Sequence, residues 1–149
     1  MLTAIPTVPC QIHASCVSVQ GRGVLIVGQS GSGKSALALQ MMAYGAELVA
    51  DDRCDLSVTE LGVIARKPDT LPAAIEARGV GILASPCCES TVLMAIVDLD
   101  SNTVERLPAL RHVSIGPHRL PVIPSGDKTH LVAALLHFLK HGFHGSMGA

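Results

Sequence analysis

The chain has 149 residues, a formal net charge of −1, 48% hydrophobic and 15% charged residues, which places it among globular proteins with room for one domain and its core but not for two of ordinary size. One Tyr, two Phe and no Trp make the core aliphatic and argue against aromatic platforms for single-stranded nucleic acid; with no basic stripe, broad electrostatic binding of DNA or RNA is excluded as well. No run of about 18 apolar residues is present to span a membrane.

The segment Met1 to Cys10 has neither a basic start nor a long apolar stretch, so no signal peptide is read there. Five cysteines, Cys10, Cys16, Cys54, Cys87 and Cys88, form no C-x-x-C pair. An odd count without a secretion signal fits reduced thiols and a cytoplasmic location. The adjacent Cys87 and Cys88 read either as a metal or redox site or, more commonly for such a pair, as small apolar fillers.

In chain order, Gln11 to Val19 alternates partly and reads as a strand. Gln20-Gly21-Arg22-Gly23 signals a turn, and Val24-Leu25-Ile26-Val27 is an apolar run of strand length, so a hairpin is expected. His13 on the first strand reads on its own as a structural or surface histidine. Next comes Gly28-Gln29-Ser30-Gly31-Ser32-Gly33-Lys34-Ser35, which fits G-x-x-x-x-G-K-[ST]. Ser35 to Tyr44 comes after it, with apolar residues at helical spacing and Gly45 as a stop. Strand, glycine loop and helix is the context in which this motif cradles phosphates. Backbone N–H groups turn inward, the helix N-terminus adds positive partial charge, Lys34 reaches the β/γ-phosphates and the Ser35 hydroxyl holds Mg²⁺.

Glu47 to Ala50 reads as a short strand running into Asp51-Asp52. Two adjacent carboxylates at a strand end point to different sides, so one of them faces the metal or nucleophile while the other fixes the loop. Leu56 to Val58 and Val63 to Ala65 flank Glu60-Leu61-Gly62 as a hairpin, and Pro68 and Pro72 break the next segment. Ile75 to Leu83 reads as one extended segment with Glu76 and Arg78 on the same face; the pair suits a loop meeting phosphate and metal, and equally a charged pair on an edge strand. Val92 to Val97 is a strand ending at Asp98-Leu99-Asp100. His112 to Ile115 and Arg119 to Ile123 are short strands split by Gly116-Pro117. Pro124 to Asp127 is a loop, with Asp127 capping a helix from Lys128 to about His141 whose apolar side is Leu131, Leu135, Leu136 and Leu139. The expected organisation is a single domain over 1–149, its core about 11–141 and its tail from 142 mobile.

Taken together, these residues resemble the catalytic C-terminal domain of bacterial HPr kinase/phosphorylase. Four features in order carry the resemblance: Ile12-His13 before the P-loop, the P-loop itself, Val49-Ala50-Asp51-Asp52-Arg53, and Ile75-Glu76-Ala77-Arg78-Gly79-Val80-Gly81-Ile82. The resemblance as a whole covers about Gln11 to Phe138. The resemblance implies an α/β fold: a P-loop nucleotide-binding domain with a mixed β-sheet around the P-loop helix, of the HPr kinase/phosphoenolpyruvate-carboxykinase-like type. It implies ATP and Mg²⁺ as cofactors, the phosphocarrier protein HPr as partner, a serine of HPr as acceptor, and a homo-oligomer, a hexamer by family analogy. By the same analogy Ser35 and Glu76 hold Mg²⁺ and Lys34 stabilises the transferring phosphoryl group. Asp52 takes the serine proton with Asp51 as alternate, His13 orients that aspartate, and Arg78 and Arg106 clamp phosphate charge.

Two departures from the family pattern shape the expectation. Typical members carry an additional N-terminal domain, whereas this chain starts almost at the catalytic domain and reads as a short form. The family's dephosphorylation loop carries arginines that Pro121-Val122-Ile123-Pro124-Ser125-Gly126-Asp127 lacks, so weak or absent reverse phosphorolysis is expected. The alternatives are another small P-loop kinase, disfavoured by the lack of an arginine-rich lid between Asp52 and Glu76, and a non-catalytic ATP-binding regulator. A GTPase is disfavoured by the absence of Asn-Lys-x-Asp.

Overall fold

The computed structural model describes residues 4–103, 105–126 and 129–145. Its elements in chain order are β1 (Cys10–His13), β2 (Ser15–Val19), β3 (Arg22–Val27), α1 (Lys34–Ala43), β4 (Glu47–Ala50), β5 (Arg53–Thr59), β6 (Gly62–Arg66), β7 (Ala74–Ala77), β8 (Gly81–Ala84), β9 (Thr91–Asp98), β10 (Arg111–Ile115), β11 (His118–Pro124) and α2 (Leu131–His141). The fold is the expected α/β arrangement of a mixed sheet around the helix that comes after the glycine loop.

The main sheet runs in the order β1-β5-β6-β9-β3-β2-β4, with β11 also paired to β9 and β10 to β11. β3 and β9 are parallel neighbours, β9 and β11 likewise, and the other pairs are antiparallel. The expected hairpin before the glycine loop is present, and its turn residues Gln20 and Gly21 both have positive φ, the twist-matched form of a two-residue turn. β1 and β2 are halves of what reads in sequence as one strand. They part at Ala14, β1 pairing with β5 and β2 with β3 and β4. The two ends of the sheet path therefore meet where β1 passes into β2 and β4 into β5. The Ala14 N–H closes that seam on the Asp52 carbonyl at 3.1 Å, and the sheet curls on itself.

Two apolar clusters fill the two faces. One, which takes no residue from either helix, includes Cys16, Leu25, Val27, Cys54, Leu56, Leu93, Ile96 and Val122. The other packs Val24, Ile26, Leu48, Ala95 and Val97 against Leu37, Ala38 and Met41 of α1 and Leu135 and Leu139 of α2. β3 is buried on both faces, which explains its unbroken apolar run. In β9 the register slips by one opposite Gly23–Val24, so Met94 is the extra residue and Leu93 and Ala95 fall to opposite faces.

Two further sequence expectations change. Ile75 to Leu83 is not one extended segment but the hairpin β7–β8, a separate two-stranded sheet. The segment from Pro121, likened to a dephosphorylation loop, begins as the end of β11, with Val122, Ile123 and Pro124 opposite Ile96, Val97 and Asp98. An apolar strand partner in β9 accepts these side chains despite the neighbouring prolines. α2 stops at Gly142 as expected but begins at Leu131, after a turn at Thr129-His130 that the sequence reading places inside the helix; the expected cap Asp127, Lys128 and the end of the tail lie outside the described residues. Among the described residues no helix is long and apolar enough to cross a membrane.

All five cysteines are free thiols. Cys87 bridges to Leu48 at the margin of β4, and the Cys88 N–H donates to the Leu48 carbonyl at 2.8 Å. Burial pushes the Cys16 thiol well up and raises those of Cys10, Cys87 and Cys88. Such thiols act as small apolar fillers rather than nucleophiles.

Gly23 shows how closely β3 is packed. A Cβ there would collide with Cγ2 of Thr91 and lie 2.9 Å from its Oγ1, the atom bonded to Ser18 Oγ at 2.8 Å inside the core. Gly23→Ala is therefore expected to destabilise the protein by about 1–3 kcal/mol through overpacking and loss of that bond. Urea denaturation monitored by circular dichroism measures this, and an unchanged midpoint would contradict it.

Candidate active site

The glycine loop joins the C-terminal end of β3 to α1. Gly31 and Gly33 have φ of 83° and 102°, left-handed values that suit glycine and that turn successive backbone N–H groups toward one side. α1 begins at Lys34 with no side-chain cap, so its first N–H groups remain available to an anion. Lys34 Nζ donates to the Gly28 carbonyl at 2.9 Å and the Gln29 carbonyl at 3.1 Å, which folds the side chain over the loop it belongs to.

A cleft of about 540 Å³ opens beside this loop. Ser30, Gly31, Gly33, Lys34 and Ser35 line it together with Asp52, Glu76 and Arg78. Three chain segments distant in sequence thus meet in one place. Arg78 sits in the β7–β8 turn, not on a strand face as its spacing from Glu76 suggests, and its Nη2 would lie 3.8 Å from a Cβ on Gly31. The hairpin carries both residues to the cleft because buried Ile75 anchors β7 in the cluster around α1.

The two adjacent aspartates have different environments. Asp51, half-buried at the end of β4, accepts three hydrogen bonds. Ser35 Oγ and Ser15 Oγ donate to its Oδ1 at 2.6 and 2.8 Å, and the Glu76 N–H donates to its Oδ2 at 3.1 Å. Asp52 has φ of 69°, a left-handed conformation that aspartate tolerates better than most residues. Its carboxylate is 71% exposed and faces the cleft, with Oδ1 4.0 Å from His13 Nδ1. His13 pairs across β1–β5 with Arg53, so the strand ladder itself brings the imidazole beside Asp52.

His13 also lines a second hollow of about 280 Å³ on the other side of the loop, with Gly28, Gln29, Asp98 and Asp100. Asp98 and Asp100 are contributors that sequence reasoning did not single out. Asp100 Oδ2 accepts the Gln29 N–H at 2.9 Å, and buried Asp98 accepts the Asp100 N–H at 3.0 Å and Arg111 Nη2 at 3.5 Å. A signal was present: an apolar strand ending in Asp-Leu-Asp, parallel to the strand before the loop, delivers carboxylates to the same sheet edge. Arg106, expected from the resemblance to clamp phosphate, lines neither hollow. It lies exposed in the connection between β9 and β10. Arg111 is the arginine that approaches β9, because it opens β10, which folds back on β11 beside β9.

The donor set suits a hard cation. Ser35 gives its one hydroxyl hydrogen to Asp51, which leaves the oxygen's lone pairs for a ligand role, and Glu76 offers an exposed carboxylate in the same cleft. Among the described residues no cluster of three or more His, Cys, Asp or Glu side chains suits a metal by itself. A pair of protein oxygens completed by substrate phosphates is the arrangement Mg²⁺ uses.

Comparison with known proteins places these features in a family. The family model described as the HPr Serine kinase C-terminal domain matches residues 7–86. HPr kinase/phosphorylase of Clostridium acetobutylicum is 40% identical over 76 residues, 51% of this chain and 25% of its own length. The proteins of the same name from Enterococcus faecalis and Bordetella pertussis are 47% and 48% identical over 73 residues, each match covering 48% of this chain and 24% of theirs. The matched region spans about a quarter of the length of these relatives. The solved HPr(Ser) kinase/phosphatase from Coxiella burnetii superposes with a TM-score of 0.72 at 24% identity over 88% of this chain and 93% of that one, a likeness of fold.

The contrast between the aspartates has a measurable consequence for stability. In Asp51→Asn the amide oxygen can serve the two serines only if the NH₂ group faces the Glu76 N–H, donor against donor. A loss of about 1–3 kcal/mol is expected. Asp52→Asn, exposed and in a conformation asparagine tolerates, should stay within about 0.5 kcal/mol of the parent. Paired urea titrations decide; equal losses would mean that the two carboxylates are not structurally distinct.

Proposed function

Because the chain belongs to the HPr serine kinase C-terminal domain family, we propose that it is an ATP-dependent kinase that phosphorylates a serine of the phosphocarrier protein HPr. The observation that carries this reading is the convergence of Lys34, Ser35, Asp52, Glu76 and Arg78 on one cleft beside the glycine loop. The loop's backbone N–H groups and the start of α1 would receive the nucleotide phosphates. Lys34 would leave its loop carbonyls to follow charge onto the transferring phosphoryl group, and the Arg78 fork would balance charge on the phosphate oxygens. Ser35 and Glu76 are the residues that would hold Mg²⁺, which when bound neutralises phosphate charge.

Asp52 is the better base of the pair. Both oxygens of Asp51 are occupied by donors, whereas the Asp52 carboxylate is open to the cleft. His13 beside it would fix its orientation. Asp51 would instead hold Ser35 and β7 in place. Such chemistry relies on positioning and charge stabilisation more than on covalent steps.

The test is incubation with HPr and γ-labelled ATP, then mapping of the labelled residue. Label on a serine of HPr is expected; ATP turnover that ignores HPr would overturn the acceptor assignment, and nucleotide binding without turnover would favour a regulatory protein. Lys34→Ala should abolish transfer while leaving a folded protein. Asp52→Asn should lower the rate by about 10²–10⁴-fold with far less effect on ATP binding. A fast Asp52→Asn variant would show that the base is elsewhere.

The reverse reaction, phosphorolysis of seryl-phosphorylated HPr to pyrophosphate, should be much slower than the forward one. Residues 121–126 supply no cation to offset the meeting of two phosphates, and Ile123 packs into the core beside β9. Pyrophosphate release at a rate comparable to the kinase rate, measured with phosphate and Mg²⁺ present, would refute this.

A further inference from the structure

We propose that Ser15 is a positioning residue for the cation-binding end of the cleft, acting through Asp51 on Ser35. This rests on the reading of the cleft as a Mg²⁺–nucleotide site. Ser15 opens β2, opposite Ile26 of β3, and none of it is exposed to solvent. Its hydroxyl donates to Asp51 Oδ1 at 2.8 Å, the oxygen that Ser35 Oγ reaches at 2.6 Å. Two hydroxyls from different elements therefore converge on one carboxylate oxygen, one from the fixed sheet and one from the start of α1.

The direction of these bonds matters. A serine hydroxyl has one hydrogen and two lone pairs. While Ser35 gives its hydrogen to Asp51, its oxygen can only accept or ligate, which is what a divalent cation requires of it. That state lasts only as long as Asp51 stays turned toward Ser35. The Glu76 N–H holds Oδ2 at 3.1 Å, but it belongs to a two-stranded hairpin outside the main sheet. Ser15 is the partner rooted in the sheet. Its bond to an ionised acceptor is of the stronger, charge-assisted kind, and full burial leaves no room for solvent to replace it. Outer partners of this sort tune metal affinity although they never touch the metal.

The experiment is calorimetric titration of ATP into the full chain, once with Mg²⁺ and once with EDTA. Ser15→Ala is expected to weaken binding with Mg²⁺ by about 10–100-fold and to leave binding in EDTA unchanged, whereas Ser15→Thr, which keeps the hydroxyl, restores the Mg²⁺-linked gain. Should Ser15→Ala fail to fold, Ser15→Cys, close in size and a weaker donor, enters the same comparison. Equal losses with and without the cation mark a merely structural bond and overturn the proposal, as does no loss in either. Phosphoryl transfer to HPr is scored separately on the unmodified chain. Its absence alongside a Ser15-sensitive Mg²⁺ effect would remove the acceptor assignment and leave this role of Ser15 standing.

Discussion

One carboxylate holds the site together. Asp51 receives donors from β2, from the first turn of α1 and from the backbone of β7, three parts of the chain that meet at this one group. Charge-assisted bonds of this kind are shorter and stronger than neutral ones, and a half-buried acceptor left without them would bear a desolvation cost. The hairpin β7–β8 depends on it most. That hairpin forms its own small sheet, gripped by buried Ile75 on the apolar side and by the Glu76 N–H on the polar side. Glu76 and Arg78 reach the glycine loop because of those two attachments.

The same constraint divides labour between neighbours in sequence. Asp51 continues the direction of β4 and is consumed by structure. Asp52 breaks from it with a positive φ, gives its carbonyl to the Ala14 N–H across the seam, and turns its carboxylate to the open cleft. The Asp51 carboxylate is taken up by three donors, while the Asp52 carboxylate is exposed beside an imidazole. Local backbone geometry, not residue type, separates the two environments.

Much of this was legible in the sequence. β3, the glycine loop, α1 and β4 emerge from apolar runs, glycines and spacing that agree with one another at every level, and Lys34, Ser35, Asp52 and Glu76 meet as their motifs imply. What was hidden depended on distant pairing. Nothing local marks Ala14 as the break between β1 and β2; the break exists because β4 and β5 recruit the two halves separately. Glu76 and Arg78 looked like one face of a strand, yet Arg78-Gly79-Val80 is a turn between two short strands. That Arg111 and not Arg106 lies against the end of β9 was invisible before β10 and β11 were known to fold back toward β9. Ser15 carried no signal at all, since a small polar residue in a strand normally reads as filler.

The seam also sets where this chain tolerates a change of length. Ala50 on one side of the two aspartates and Cys54 and Leu56 on the other all belong to the cluster lining the face without helices. Side chains alternate faces along a strand, so a single inserted or deleted residue between Ala50 and Cys54 would turn β5 inside out. It would drive Asp55 and Ser57 toward the core and carry Asp52 off its place beside His13. A residue added in the exposed stretch Glu105-Arg106-Leu107 meets no such requirement, because among the described residues no strand lies between Asp98 and Arg111. The inside-outside alternation of the sheet thus serves as a ruler for the site, and a change of length is borne more easily where that ruler is not read.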